Sequence, residues 1–423
     1  MRKEQNFLQQ VLEGATPNID EFVENLGDRI PLLQQYKSTP QDREWHAEGD
    51  VHIHTGMVLE EVYNILATSA NHLSSNHRLS LILGALLHDI AKPLTTRKKD
   101  IQGVVRTVAP RHASIGRSYL APKLMGFGLD YEVVEETLGL VGCHHEPKDL
   151  VIKEKPAGEY KRIARLANPE LLYWLEIADL KGRECKDRRE QIDYIEMYGL
   201  FAQEYTAWER YVTDYQHWRD YFNCELADWN TETRDLVLGN AIKNCELGKI
   251  IFPEEELARS YSYRESFPQV VLTFGISGSG KTTWIEKNLP EHNIISLDGL
   301  RSKVTGDRKN QSKNSKVVSI AKEQLKVYLR SHSKVVWDAT NLRRDFRQQI
   351  VNLSHNYGAL ITLVIFHCEE SLYFERNQQR RHSIPQAVLE KQLQIMEFPE
   401  IDEAHRVIIV DSQGETLASY GNC

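Results

Sequence analysis

The stretch VVLTFGISGSGKTT, from Val270 to Thr283, decides the fold of the C-terminal part of the chain. An apolar, β-branched run leads into a glycine-rich loop, and the loop ends where a helix is expected to begin. The spacing of the glycines, the lysine and the threonine fits G-x-x-x-x-G-K-[ST] in the strand, loop and helix order that a phosphate-binding loop requires. The stretch therefore predicts a binding site for a nucleoside triphosphate.

Each residue type in this loop has a physical task. Glycines let backbone N–H groups approach the phosphates, the lysine adds a positive charge, and the threonine hydroxyl can bind the Mg²⁺ that accompanies ATP or another NTP. Thr282 is the predicted Mg²⁺ ligand. The predicted NTP-binding residues of the loop are Gly275, Ser277, Gly278, Ser279, Gly280, Lys281, Thr282 and Thr283.

Length and composition place the chain among soluble globular proteins of more than one domain. It has 423 residues, 41% hydrophobic and 26% charged, which is too long for one ordinary domain. The net charge of −8 argues against a broad nucleic-acid coat but not against a local group of arginines. Six cysteines without a C-x-x-C pair indicate neither a disulfide framework nor a thiolate zinc site.

No segment has the character of a signal peptide or a membrane span. The expected location is the cytoplasm, without a membrane partner.

The pattern along the chain changes from helical to alternating. Residues 51–198 read as helices joined by short turns, whereas the runs VVLTFGI, NIISLD, KVVWDAT, LITLVIFH and RVIIVD alternate with helices, as in a parallel sheet. The predicted fold is multidomain, an all-α helical bundle followed by an α/β P-loop domain with a central parallel sheet. The predicted boundaries are 1–190 for the bundle, 191–265 for a helical extension and linker, and 266–423 for the P-loop domain.

The helical half carries histidines and aspartates at the ends of separate apolar helices. Helices that converge on one buried metal ion need this arrangement, and a buried charge without a partner would be costly. His52 is expected to face solvent, and Glu146 either orients a ligand or faces water. The candidate metal ligands are His54, His88, Asp89, His112, His144, His145 and Asp179.

The order and spacing of this set resemble the HD-domain phosphohydrolase superfamily, whose signature is a His, a His-Asp doublet and a distant Asp on a helical bundle. The resemblance covers about residues 51–193. It implies that Lys92 contacts a substrate phosphate and that His112, His144 and His145 correspond to the extra histidines of the dinuclear branch. The first metal's ligands would be His54, His88, Asp89 and Asp179.

One or two ions of Mn, Fe, Ni, Co or Zn suit such a donor set. Two metals could activate a hydroxide for hydrolysis of a phosphomonoester or a phosphodiester.

One acidic and one basic residue follow the predicted strand NIIS. Asp298 lies at the carboxyl end of this strand, where ligands of parallel sheets bind, and it could deprotonate an attacking hydroxyl. An aspartate that only caps a helix is the structural alternative, and both roles are compatible. Arg301, three residues later, either binds a phosphate or lies on the helix surface.

Two further clusters could bind phosphates. Asn341 and Arg344 follow the strand KVVWD in the segment DATNLRR. Arg376 and Arg380 lie four residues apart on one helix face, so their guanidinium groups could close over a triphosphate as a lid. Phosphoryl transfer needs such cations because negative charge spreads over the transferred group.

The Asp-x-x-Arg pair, the DATN segment and the arginine lid resemble polynucleotide 5′-kinases of phage and bacterial RNA-repair systems, over about residues 268–411. This resemblance implies that Asp298 is the general base, that Arg301 binds the acceptor strand and that Arg376 and Arg380 form the lid. The order of the two halves resembles the bifunctional HD-domain polynucleotide kinases, bacterial nucleic-acid end-healing enzymes.

The implied function is NTP-dependent phosphorylation of 5′-OH polynucleotide ends together with metal-dependent removal of a 3′-phosphate or a 2′,3′-cyclic phosphate. The partners would be RNA or DNA strand ends, the NTP, and a ligase of the same pathway as a further candidate. Catalysis would rest on Asp298, Lys281, Arg376 and Arg380, and polynucleotide binding on Asp298, Arg301, Asn341 and Arg344.

Two other functions fit the same motifs. One is a nucleotide-metabolism enzyme that pairs an HD nucleotide phosphohydrolase with a small-molecule kinase. The other is an HD hydrolase regulated by a nucleotide-sensing loop, against which Asp298 and the arginines count, since a sensor needs no hydroxyl-activating carboxylate.

Overall fold

The chain divides into two compact units, Met1–Thr213 and Asp214–Cys423. The computed structural model describes residues 2–210, 213–306, 312–379 and 383–421. The division falls inside the segment 191–265, which the sequence set apart as a helical extension and linker. The first part of that segment belongs to the N-terminal unit and the rest to the C-terminal unit.

The N-terminal unit is a bundle of helices. The fourth helix is buried on every side from Leu79 to Leu87, as expected for a helix that is apolar all round. It packs against α3, α7 and α10. The helices are α1 (Lys3–Leu12), α2 (Ile19–Leu26), α3 (Val51–Ala67), α4 (Ser75–Leu87), α5 (Lys92–Thr95), α6 (His112–Leu124), α7 (Tyr131–Cys143), α8 (Glu146–Ile152), α9 (Ala157–Leu166), α10 (Pro169–Lys181) and α11 (Arg188–Glu204).

Polar side chains cap three of the central helices and so set where they begin. The side chains of Asp50, Ser74 and Asn168 accept hydrogen bonds from backbone N–H groups in the first turns of α3, α4 and α10. Such caps satisfy donors that a helix cannot satisfy itself. A fixed start fixes the position of every later side chain along the helix.

A β-hairpin interrupts the helical unit, where the sequence predicted helices throughout. Strands β1 (Arg97–Ile101) and β2 (Val104–Val108) pair antiparallel. Gln102 and Gly103 join them with φ values of 54° and 83°, which is the geometry of a two-residue hairpin turn. The predicted helical bundle is confirmed, and the hairpin is an addition to it, because a glycine turn followed by β-branched valines favours strands there.

The C-terminal unit combines a six-stranded sheet with helices. Its helices are α12 (Thr213–Glu225), α13 (Thr231–Glu246), α14 (Pro253–Ser260), α15 (Lys281–Asn288), α16 (Leu297–Thr305), α17 (Asn314–Arg330), α18 (Arg344–His355), α19 (Glu370–Gln379) and α20 (Gln386–Ile395). Its strands are β3 (Gln269–Phe274), β4 (Asn293–Ser296), β5 (Lys334–Asp338), β6 (Leu360–Phe366), β7 (Arg406–Val410) and β8 (Thr416–Tyr420).

The strand order is β4-β5-β3-β6-β7-β8, with β8 antiparallel to β7 and the other neighbours parallel. The predicted central parallel sheet is confirmed. Strand β3, which leads into the glycine loop, is central and buried from Val270 to Phe274. The carboxyl ends of β3, β4 and β5 lie at the same edge of the sheet, which gathers the residues that follow them.

The segment predicted as a linker contains a packed helix. Glu256 of α14 is 3% exposed and accepts hydrogen bonds from Asn244 Nδ2 and from the Tyr263 hydroxyl, both at 2.8 Å. The ion pair between Asp235 of α13 and Arg406 of β7 ties the helical extension to the sheet. Acidic residues that look solvated in the sequence therefore have buried partners.

Two neighbouring histidines, His405 buried and His355 half-buried, make the stability of the C-terminal unit depend on pH. His405 Nδ1 accepts a hydrogen bond of 3.0 Å from Ile361 N–H. Burial lowers the pKa of His405 well below its usual range and that of His355, its neighbour, to about 4. Both histidines are therefore neutral in the folded unit over a pH range in which they are charged in the unfolded chain.

We expect full stability above pH 6.5 and a decline as the pH falls below it, by up to about 1.4 kcal/mol per pH unit for each histidine. Urea unfolding of the C-terminal unit from pH 7 to pH 5 checks this. In His405→Gln the free energy of unfolding should fall less with decreasing pH than in the wild type. His217→Gln, at an exposed position, should behave as the wild type does. Equal slopes for all three proteins would contradict the assignment.

Among the described residues, no helix has the length and apolar character needed to cross a lipid bilayer.

Candidate metal centre and phosphate-binding loop

Five helices of the N-terminal unit bring all seven predicted metal ligands together. The fourth residue of α3 and a residue near the end of α10 face one another, and the other ligands lie where α4, α6 and α7 begin or end. Six of the seven are buried, and His145 is exposed. The seven residues are His54, His88, Asp89, His112, His144, His145 and Asp179.

The first group of donor atoms surrounds the His-Asp doublet. His54 Nε2 lies 2.9 Å from Asp179 Oδ1, and His88 Nε2 lies 3.3 Å from Asp89 Oδ2. His54, His88 and Asp179 each offer a donor atom, all within 4.8 Å of one another. This spacing suits ligands of one ion.

The second group consists of three histidines. His112 Nε2 lies 3.2 Å from His144 Nε2 and 3.1 Å from His145 Nε2. The other carboxylate oxygen of the doublet, Asp89 Oδ1, lies 3.2 Å from His112 Nε2. Asp89 therefore presents one oxygen to each group, as a carboxylate shared by two metal ions would.

Backbone contacts fix the ring orientation of three of these histidines. The Nδ1 atoms of His88, His112 and His144 lie 2.7–2.9 Å from the carbonyl oxygen three residues earlier. A neutral imidazole that donates from Nδ1 leaves the Nε2 lone pair for a metal ion. All three Nε2 atoms face the centre.

Several donor atoms of the first group are buried without a well-aligned hydrogen bond. Among the described residues, His54 Nε2, His88 Nε2, Asp89 Oδ2 and Asp179 Oδ1 make none, although His54 Nε2 lies near Asp179 Oδ1 and Asp89 Oδ2 is paired with Lys92. Buried polar atoms are rarely left so, because each costs about 1–3 kcal/mol. A divalent cation would satisfy them, so the donor set fits a metal centre. When bound, the metal would supply Lewis-acid activation of water and of a phosphate oxygen.

Neighbouring cations keep the two carboxylates ionised. Burial raises the pKa of Asp89, but Lys92 and the imidazoles outweigh it and hold that pKa well below its usual range. Burial also raises the pKa of Asp179, and Arg183 outweighs it in the same way. Burial lowers the pKa of His144 well below its usual range. The two carboxylates and His144 are thus in the protonation states that metal binding requires.

Three residues around the candidate metal centre were not predicted from the sequence. Glu48 Oε1 lies 2.9 Å from His54 Nδ1 and 2.8 Å from His46 Nδ1. Arg183 forms an ion pair with Asp179, one turn later on the chain. Glu48 and His46 could have been found in the segment WHAEGDVHIH, since a His and a Glu two residues apart precede helix α3.

Glu48 lies where it can orient His54 toward a metal ion, so its charge should matter. Its side chain is 2% exposed. We expect Glu48→Gln to weaken metal binding by about 10- to 100-fold, because carboxylates behind a ligand histidine orient the ring and raise its basicity. Calorimetric titration of Mn²⁺ into metal-free protein measures this. Glu60→Gln, at an exposed position of α3, the helix that carries His54, is the control, and equal affinities for both variants would contradict the role.

His52 differs from the prediction of a solvent-facing residue. It is 9% exposed and its Nε2 lies 3.3 Å from Asp20 Oδ1. The first turn of α3 packs against the preceding segment, which the sequence pattern does not reveal. His52 remains outside the metal centre, as expected. Glu146 begins α8 directly after His145.

A cavity of about 420 Å³ opens onto the metal centre. Asp89, His112 and Asp179 form part of its wall, and so do Lys92 and Arg183. Lys92 Nζ lies 2.6 Å from Asp89 Oδ2 and donates to Gln41 Oε1. The predicted substrate lysine is thus at the cavity, beside the metal ligands.

The glycine loop has the backbone shape that its motif predicts. Gly278 and Gly280 have φ values of 96° and 99°, a region that other residues rarely adopt. A Cβ on Gly275 would lie 2.6 Å from Ser279 Oγ, so only glycine fits there. Lys281 Nζ donates to the carbonyl oxygens of Gly275 and Ile276 at 2.8 and 2.9 Å.

Thr282 and Thr283 are exposed in the first turn of α15, where their hydroxyls can reach a ligand. Ser277 contacts a side chain from another helix. Its N–H donates to Gln392 Oε1, and Gln392 Nε2 donates to Ser277 Oγ, both at 3.0 Å.

Asp298 and Arg301 form an ion pair in the first turns of α16. The cap of this helix is Ser296, whose side chain accepts from Gly299 N–H, so Asp298 is not the cap. The Asp298 side chain is 60% exposed, whereas that of Arg301 is 12% exposed. Asp298 therefore presents a carboxylate to solvent at the ligand-binding edge of the sheet.

Asn341 and Arg344 have protein partners that the sequence did not indicate. Asn341 is 8% exposed and its Nδ2 donates to Thr273 O at 2.6 Å. Arg344 Nη1 lies 2.7 Å from Glu400 Oε2. These contacts hold the segment after β5 against β3 and the C-terminal part of the unit. A polynucleotide contact of either residue stays a prediction, and the contacts of Asn341 speak for a positioning role.

Of the two lid arginines, Arg376 lies beside the glycine loop. Its Nη1 is 3.9 Å from the position that a Cβ on Gly280 would occupy, and its Nη2 donates to Ser412 O. Arg380 lies outside the described residues.

Two family models match the chain. An HD domain matches residues 59–169, a range that contains five of the seven metal-site residues but neither His54 nor Asp179. An AAA domain matches residues 270–399, from the strand before the glycine loop to beyond α20. The chain thus carries an HD domain followed by a P-loop kinase-like domain. These are domains of phosphohydrolases, which bind divalent metals, and of phosphotransferases, which use an NTP with Mg²⁺.

One solved structure with some similarity is a gluconokinase from Sinorhizobium meliloti 1021, at 24% sequence identity and a TM-score of 0.28, covering 36% of this chain and 86% of that one. No curated protein matches the chain.

Proposed function

We propose that this protein heals broken polynucleotide strands. Its C-terminal unit would transfer the γ-phosphate of an NTP to a 5′-hydroxyl, and its N-terminal unit would remove a 3′-phosphate or open a 2′,3′-cyclic phosphate. The observation that carries the proposal is the exposed Asp298 beside the more buried Arg301, at the sheet edge that holds the glycine loop.

This pair suits an acceptor that combines a hydroxyl with a nearby phosphate. A carboxylate in reach of a hydroxyl can take its proton as the phosphoryl group is transferred. A guanidinium that is held in place binds a phosphate with little loss of entropy. A 5′-terminal nucleotide with a 3′ phosphate linkage offers both groups.

The N-terminal unit would act on the other end of the break. His54, His88, Asp89 and Asp179 would hold one metal ion, with the three further histidines available for a second. Lys92, at the cavity wall, would bind an oxygen of the substrate phosphate. The chemistry would be hydrolysis of a phosphate ester.

Purified protein with a 5′-OH oligonucleotide, γ-labelled ATP and Mg²⁺ should yield a 5′-labelled product. The same preparation should release phosphate from an oligonucleotide 3′-phosphate once Mn²⁺ or Ni²⁺ is supplied. Label transfer to small metabolites but not to oligonucleotides would replace the proposal with the nucleotide-metabolism alternative. ATP binding that changes HD activity without phosphorylation of any acceptor would instead indicate a sensor.

A further inference from the structure

A second cavity of about 650 Å³ adjoins the cavity at the metal centre. The two share wall residues, among them Gln41, Asp42 and Thr107. The shared wall is held by a hydrogen bond of 2.8 Å from Thr107 N–H to Asp42 Oδ2, which joins the hairpin β1–β2 to the loop before α3. The two cavities adjoin at these residues, and we call the pair of cavities the groove.

An aromatic side chain lies where the two cavities meet. Trp45 is 42% exposed and lines the first cavity. Arg106, which lines the second, has its guanidinium 5.4 Å from the centre of the Trp45 ring. Its Nη1 lies 3.2 Å from Asp42 Oδ1 and 3.1 Å from Glu44 Oε2. These contacts hold the indole at the junction with much of its surface uncovered.

The hairpin beside the groove is basic in a chain that is acidic overall. It carries four cations, Arg97, Lys98, Lys99 and Arg106, against a single acid, Asp100. Lys98 lines the second cavity, and its Nζ donates to Thr107 Oγ1 at 2.7 Å. An ammonium has three donors, so this contact leaves Lys98 able to bind an anion as well.

We infer that the groove binds the 3′-terminal segment of a single-stranded polynucleotide. The terminal phosphate lies at the metal centre, a base stacks on Trp45, and Lys98 binds the phosphate between the next nucleotides. A half-exposed aromatic ring next to cations is the combination by which proteins bind single strands without regard to sequence. The inference rests on the proposed function and adds which residues bind the last base and the next phosphate of the strand.

The test compares two substrates of the full-length protein, without NTP and with Mn²⁺. One is a five-nucleotide oligoadenylate with phosphates at both ends, so that the kinase-like unit has no acceptor, and the other is adenosine 3′-monophosphate. The readout is the ratio of the two kcat/KM values. We expect the wild type to prefer the pentanucleotide and Trp45→Ala to lower the ratio about tenfold, while Trp45→Phe keeps most of it.

The kcat/KM for the pentanucleotide should fall as the salt concentration rises. In a plot of log(kcat/KM) against log salt concentration, Lys98→Ala should make the slope less steep by about 0.7. Lys155→Ala removes an exposed lysine that lines neither cavity, and it should leave that slope as it is. A general folding defect lowers both kcat/KM values together and does not change their ratio.

Two results would contradict strand binding in the groove but leave the 3′-phosphatase function in place. One is hydrolysis of both substrates by the wild type with a ratio of kcat/KM values near one. The other is a ratio that Trp45→Ala leaves unchanged. Hydrolysis of p-nitrophenyl phosphate but of neither nucleotide substrate would overturn the proposed function of this unit, and the groove with it.

Discussion

Replacing Asp298 with Asn should lower the rate of phosphate transfer to a 5′-OH oligonucleotide by about 10²- to 10⁴-fold, the usual contribution of a general base. The amide keeps the shape of the side chain but cannot take the hydroxyl proton. The KM for ATP should change little, because the glycine loop and Lys281 bind the triphosphate. Steady-state kinetics with labelled ATP measures both parameters.

Glu323→Gln is a matched control for Asp298→Asn. Glu323 is also an exposed acid with a cation three residues later, since its side chain is 65% exposed and paired with Lys326 at 2.7 Å, but it lies on α17. The Glu323→Gln variant should retain the wild-type rate of phosphate transfer. Full activity of Asp298→Asn would show that Asp298 serves only to hold Arg301. Loss of phosphohydrolase activity as well would indicate a folding defect.

Replacing Asp89 with Asn should remove bound metal and reduce 3′-phosphate hydrolysis by at least about 100-fold. The substitution keeps the volume of the side chain but removes the negative charge that faces both groups of histidines. Metal content is measured by mass spectrometry of the purified protein, and hydrolysis by phosphate release. Phosphate transfer to a 5′-OH end should continue, because each unit has its own core and its own site residues.

Asp28→Asn, at an exposed position of the same unit, should leave both metal content and hydrolysis unchanged. If Asp89→Asn retained full metal occupancy, the shared-carboxylate assignment would be wrong. If it lost kinase activity too, its effect would lie in folding rather than in metal binding, which a thermal melt would reveal.

The candidate metal ligands stand out in the sequence because several of them are polar residues on, or directly after, an apolar helix. A charge in such a place is unfavourable unless something binds it, so His88 and Asp89 stand out against LLHDI without any structure. Glu48 and Arg183 were missed for the opposite reason. They lie in polar segments, where a glutamate or an arginine needs no explanation until its partner is known.

The same reason explains why the sequence did not indicate the protein partners of two residues in the C-terminal unit. Asn341 and Arg344 contact Thr273 and Glu400, which lie 68 and 56 residues away in the sequence. No local pattern encodes such a pairing. The hairpin β1–β2 is a different case. Its turn at Gln102 and Gly103 is a local feature, but the helical patterns on both sides favour a helix prediction for the whole region.

The sequence by itself determined the phosphate-binding loop, the parallel sheet around it and the candidate metal ligands. These follow from local chemistry, since glycine spacing, strand patterns and charges on apolar helices carry their meaning wherever they occur. Only the tertiary structure decided which carboxylate faces which histidine, that Asp298 is exposed while Arg301 is held, and that Trp45 lies at the junction of two cavities. Such relations join residues that are distant in the chain, and they arise only when the helices and strands pack.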